Sequence, residues 1–166
     1  VDLSLTENVS WHPLAHFYSN KGGIEMAKLN TKTTITDFLE QEGYEVEEQQ
    51  DGEVLVITDE DGFTIFAVVT DVQIEFMVDI CGENDLQPDR LLEAYGMLLD
   101  QNTEILPTCY GIHTTDPENP RVVLVDSLAL ENLDENELQL SLSSLAQNTI
   151  NAVEILSPYH KTFSGT

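Results

Sequence analysis

An α+β fold, a single antiparallel sheet of about five or six strands covered by helices, is predicted by three features of the chain. Asp-Gly pairs at 51–52 and 61–62 separate apolar runs, residues 72–80 alternate apolar and largely polar side chains, and two amphipathic helical patterns supply a cover for one sheet face. The 166 residues, 41% of them hydrophobic, suit one compact domain with a core that needs no disulfide or metal.

The elements follow in order. Residues 34–42 read as a short helix, with Thr34 as N-cap, Ile35, Phe38 and Leu39 as the apolar stripe, and Gly43 as the stop. Residues 44–48, 53–58 and 63–69 are strands of a meander, joined by turns in which both Asp and Gly must take positive φ. In the fourth strand Val72, Ile74, Phe76, Val78 and Ile80 alternate with Gln73, Glu75, Met77, Asp79 and Cys81, the period of a sheet covered on one side only. Pro88 opens the next helix, with Leu91, Leu92, Tyr95, Leu98 and Leu99 on one face. Two strands, 108–114 and 121–127, flank a loop whose prolines, Pro117 and Pro120, cannot donate to a ladder. The longest helix, 135–156, starts from Asp134 with Glu137 completing a capping box, and Pro158 blocks its continuation. The predicted order is α-β-β-β-β-α-β-β-α.

Residues 1–25 have another character. They hold the sole Trp, two of the four His and the Lys21-Gly22-Gly23 run, and Met26 follows as a natural start would. They are read as a leader or flexible extension, with residues 26–166 as the single domain. A docking segment is the competing reading, in which Pro13 opens one helical turn and Trp11, Leu14, Phe17 and Tyr18 form its apolar side.

Charge narrows the function. The chain carries 31 acids against 6 Lys and Arg, a formal charge of −25, and between residues 33 and 160 the only bases are Arg90 and Arg121. Such a surface repels phosphate backbones and anionic lipid, so nucleic acid and direct membrane binding are the least favoured partners; a protein with a basic surface is the more natural one, with acidity that serves only solubility as the competing reading. Cys81 and Cys109 have neither a redox nor a zinc spacing and read as two buried thiols. No run reaches the ~18 apolar residues of a membrane helix, and the N-terminus lacks signal-peptide order, so a cytoplasmic location is expected.

Candidate chemistry is sparse. Cys109 and His113 would share one strand face at ~13 Å, too far for direct proton transfer. His12 and His16 have i, i+4 spacing but no third ligand. Asp59-Glu60-Asp61-Gly62 fails the calcium-loop register, because Gly62 follows Asp59 by three positions only. No catalytic residue, metal site or cofactor is assigned, and the expectation is a protein that is not an enzyme. Apolar surface remains. Leu138, Leu142, Leu145, Thr149, Val153 and Leu156 form a clean stripe on the last helix, while Leu140 and Ile150 lie off it and read either as incidental exposed side chains of a core helix or as a dimer or partner-binding surface.

Element order, size, acidity and a leucine-rich terminal helix resemble the type III secretion chaperone-like fold, shared by small acidic secretion chaperones and bacterial YbjN-like proteins. The likeness rests on Thr36-Asp37-Phe38-Leu39-Glu40 before Gly43-Tyr44, the Asp61-Gly62 hairpin, residues 72–80, and Pro107-Thr108-Cys109-Tyr110-Gly111. From about Met26 onward the chain is also similar to the uncharacterised bacterial YjfI group, whose genes are often beside that of a phage-shock PspA-like membrane-remodelling protein. The resemblance implies a non-enzymatic, often dimeric protein that binds another polypeptide, with PspA-like proteins as an implied partner.

The leading expectation is therefore an acidic protein-binding or adaptor domain, with Leu140 and Ile150 on the terminal helix and Glu75 and Asp79 on the open sheet face as its contact residues. Two other classes stand beside it: a small thiol- or metal-dependent enzyme using Cys109, Cys81 and His113, and a nucleic-acid mimic.

Overall fold

The structure, a computed structural model, describes residues 28–161. The leader expected over residues 1–25, with the alternative docking segment and the His12/His16 pair, lies outside the described residues.

The elements are α1 (Lys32–Gln41), β1 (Glu45–Gln49), β2 (Val54–Thr58), β3 (Thr64–Val69), β4 (Gln73–Gly82), α2 (Leu91–Gln101), β5 (Cys109–His113), β6 (Arg121–Ala129) and α3 (Glu135–Leu156). This is the predicted order, and the fold is α+β. All six strands join one antiparallel sheet in the order β1-β2-β3-β4-β6-β5. The inversion of β5 and β6 follows from composition. Val122, Val123, Leu124 and Val125 make β6 apolar on both faces, which suits an interior strand, whereas β5 carries Gly111 and an exposed Cys109 and takes the edge.

Helices α1 and α3 lie on one face of the sheet. Ile35 and Leu39 of α1 and Leu138, Leu142 and Leu145 of α3 share a core with Leu55, Ile57, Ile65, Ile74, Phe76 and Leu124 of the strands. These side chains alternate along their strands with a second set that points away from the helices, and that opposite face is the one of functional interest.

Local chemistry shifts several boundaries. Thr31, not Thr34, caps α1: its hydroxyl accepts from Thr34 N at 3.2 Å, and the Thr34 side chain bonds back to Thr31 N at 3.2 Å, so Thr34 sits at the third position of a capping box. Gly43, at φ +95°, ends the helix as expected. In the first turn Gln50 joins Asp51 and Gly52 at positive φ, and with Gln49 paired to Val54 the connection spans four residues, 50–53. In the second, only Gly62 is at positive φ, because the Asp59 carboxylate accepts from Asp61 N at 3.0 Å and Phe63 N at 2.8 Å and holds the loop itself. Pro88 opens a short 3-10 turn, and α2 proper begins at Leu91.

Two helical faces differ from expectation. On α2 the buried residues are Ala94 and Leu98, while Leu92 and Leu99 are 87% and 67% exposed, so the inward face is rotated from the leucine stripe read from sequence. On α3 Val153 is exposed, and Ser141 and Ala152 are buried instead. Small side chains let α3 approach its neighbours where a β-branched residue would hold it off.

Candidate protein-binding surface

The face of the sheet turned away from α1 and α3 carries a continuous apolar row. Val56 of β2 stands opposite Phe66 of β3, Phe66 opposite Met77 of β4, Met77 opposite Val125 of β6, and Val125 opposite Cys109 of β5. Partners in adjacent strands are ~4.8 Å apart, so the row runs ~19 Å across five strands. Val54, Val68 and Val123 widen it, and together with Phe66, Met77 and Val125 they line a depression of about 910 Å³.

Acids frame this floor. Glu47 lies opposite Val56 at the β1 end, and Glu75 and Asp79 flank Met77 along β4. Asp79 has a partner: Arg121 Nε donates to one carboxylate oxygen at 3.0 Å and Nη2 to the other at 2.7 Å. That pairing raises the Arg121 pKa, chiefly through the hydrogen bond to Asp79, with partial desolvation opposing it and the Asp79 charge adding to it. Lys32 is likewise held by Glu48 at 2.9 Å and Arg90 by Glu93 at 2.8 Å. Arg90 also stacks on the Tyr159 ring, its guanidinium 4.4 Å from the centroid. Three of the described bases are thus engaged locally, and most of the described acids form no ion pair among the described residues.

The four residues singled out from sequence fall on two layers. Glu75 and Asp79 are on the open sheet face. Leu140 and Ile150 are 63% and 57% exposed on α3, across the sheet from it. Ten residues separate Leu140 from Ile150, ~15 Å along the helix axis, so they form no single patch. Sequence reasoning overlooked Val56, Phe66, Met77 and Val125. Their signal was present in the unbroken apolar runs of β2 and β6, which mean that both faces of those strands are apolar.

The thiols and His113 do not converge. Cys109 is exposed on the open face and not buried as expected, because β5 is the edge strand and Cys109 lies on its outward alternation. Cys81 is buried on the helix side, brought there by a register shift between Asp79 and Cys81 that turns the strand over. Burial, with Asp85 adding repulsion, pushes its thiol up to about 11. His113 Nε2 lies 2.9 Å from the Thr115 hydroxyl. Among the described residues no group of three or more His, Cys, Asp or Glu is placed to hold a metal ion, and no helix is long and apolar enough to cross a membrane.

A second apolar surface lies at the β5 edge, where Tyr95, Leu98 and Leu99 of α2 meet Tyr110, Gly111 and Ile112 around a cleft of about 180 Å³. Tyr95 donates to the Glu83 carboxylate, and burial together with that bond raises its pKa.

A six-stranded sheet with helices on one face and an apolar, acid-framed opposite face defines a type III chaperone-like protein. The family model CesT_Tir_1 matches residues 28–161, and the chain belongs to that family. Among solved structures it is similar to YbjN from E. coli, at 18% identity and a TM-score of 0.58, over 78% of this chain and 95% of that one. It is also similar to an uncharacterized protein from Methanothermobacter thermautotrophicus, at 12% identity and a TM-score of 0.50, over 76% and 97% of the two chains. At these identities the likeness is one of fold. No curated protein matches the sequence.

Proposed function

We propose that this chain is a polypeptide-binding adaptor that carries out no chemistry of its own and receives a basic partner on the open face of its sheet. The observation that carries this reading is the apolar row from Val56 to Cys109, left uncovered by the described residues in a protein of charge −25. Apolar contact supplies affinity there, while Glu47, Glu75 and the Asp79–Arg121 pair at its margin select against acidic partners. A partner long enough to pass the sheet edge gains a second contact at Leu140 and Ile150 on α3. The chaperone-type family is consistent with this role, and a PspA-like membrane-stress protein, implied by the resemblance to the YjfI group, is the first partner to test. Affinity capture followed by titration of the purified partner should give a saturable complex that weakens as salt rises from about 0.05 M to about 0.5 M. Failure to recover any saturable polypeptide complex, or turnover of a small substrate by the protein alone, overturns the reading.

A specific observation also favours a homodimer. The outer edge of β5 pairs with no strand among the described residues, and Leu99 and Ile112 stand exposed there. Pairing of two β5 edges would cover both. Light scattering of the wild type against Leu99→Glu tests this, with a shift from dimer to monomer expected and an unchanged mass opposing it.

A further inference from the structure

We infer that the occupant of the open sheet face is an amphipathic α-helix with Lys or Arg beside its apolar stripe, an inference that rests on the adaptor reading and specifies its partner. Backbone groups of interior strands are engaged in the ladders and lie in the plane of the sheet, so they offer nothing to a chain lying on top. The row of Val56, Phe66, Met77, Val125 and Cys109 has no strong side-chain donor or acceptor either. An extended peptide pressed onto that floor would bury N–H and C=O groups without partners, at a cost of several kcal/mol over its length. A helix satisfies its own backbone and presents only side chains.

Size and charge agree. The ~19 Å row matches about 13 residues of helix at ~1.5 Å per residue, three to four turns. At the margin Glu47 and Glu75 are exposed and make no ion pair, whereas Arg121 is already held by Asp79, so cations of the partner meet carboxylates and its anions meet none of the described bases unengaged on this face. The central part of the row, Phe66, Met77 and Val125, lines a depression of about 910 Å³ into which apolar side chains of a partner would project.

The test uses the intact protein and a synthetic Leu/Lys peptide of about 18 residues patterned as an amphipathic helix, alongside a scrambled peptide of the same composition. Binding is followed by fluorescence anisotropy and by the gain of helical circular dichroism. The patterned peptide is expected to bind at least tenfold more tightly than the scrambled one and to become helical on binding. Met77→Glu, and independently Val56→Glu in case one variant misfolds, should each weaken it at least tenfold although each adds a negative charge. Purely electrostatic adsorption would instead strengthen with either substitution, and that result overturns the inference. Equal binding of the two peptides also overturns it. A natural partner that binds Met77→Glu and Val56→Glu with full affinity removes both the helix and the partner from this face and leaves only the polypeptide-binding role standing, whereas binding of the natural partner that is lost on both variants without any gain of helix removes the helical occupant alone, and absence of any polypeptide partner removes the adaptor reading itself.

Discussion

Arg121 grips Asp79 across the β6–β4 ladder with two parallel hydrogen bonds, 3.0 Å from Nε and 2.7 Å from Nη2. From sequence Asp79 is a free acid awaiting a basic partner, but the structure neutralises it within the chain. The fork geometry fixes both side chains at the end of the apolar row. Because the pair is about one-third exposed on each side, its contribution to stability is small. Arg121→Gln should therefore lower the unfolding free energy in urea by less than ~1 kcal/mol. It also uncovers the Asp79 charge, so the same variant should bind the Leu/Lys peptide more tightly, by a few-fold at low salt, and lose that gain at high salt.

Ser141 shows the opposite balance, a polar contact on the buried side. Its hydroxyl donates to Asp126 Oδ2 at 2.5 Å, and the other carboxylate oxygen accepts from Ser127 N at 2.7 Å. Ser141 is 1% exposed, and Asp126 stands opposite Phe76 on the helix-covered face. Ser141→Ala leaves a half-buried carboxylate short of a donor and should cost ~1–3 kcal/mol in urea unfolding. Changing Asp126 to Val together with Ser141→Ala removes both partners and should recover much of the loss. Persistence of the full deficit in the double variant would assign the effect to packing.

Periodicity made the architecture legible, and pairing made the surface hard to see. The alternation in β4 located the sheet and the Asp134 capping box located α3, since both are local signals. Thr31 was missed as the α1 cap because Thr31, Thr33 and Thr34 are all competent, and only the backbone decides which hydroxyl faces the first turn. The apolar row was harder still. Met77 looks like an exception on a polar face until Phe66 and Val125 are placed beside it, and that juxtaposition depends on register between strands as far apart in sequence as β3 and β6.

Thiol reactivity separates the two cysteines. Cys109 is exposed on the edge strand, whereas Cys81 is buried with its thiol pushed up to about 11 from 9.0. At pH 8 the native protein should release one equivalent of thiol chromophore quickly and the second only in denaturant. The pH dependence has a definite sign. The folded state keeps the Cys81 proton where the unfolded chain has lost it, so stability falls as pH rises from about 9 toward about 11. Cys81→Ala should flatten that decline in urea titrations without abolishing it, since Tyr44, Tyr95 and Tyr110 are also raised by burial.

Leu140 and Ile150 provide the sharpest division between the two layers of the molecule. Both are exposed on α3 and far from Met77, which points from the other face of the sheet. Neither fills the core, so Leu140→Ser and Ile150→Ser should each change stability by no more than ~0.5 kcal/mol. A short helical peptide seated on the open face cannot reach them, and its affinity should be the same for the Leu140→Ser/Ile150→Ser double variant as for the wild type. A full-length partner that continues around the edge should lose a few-fold in affinity on the same double variant and far more on Met77→Glu. Should the order be reversed, with the α3 variant losing more than Met77→Glu, the principal interface lies on the helical layer and the acids beside Met77 play no part in selecting the partner.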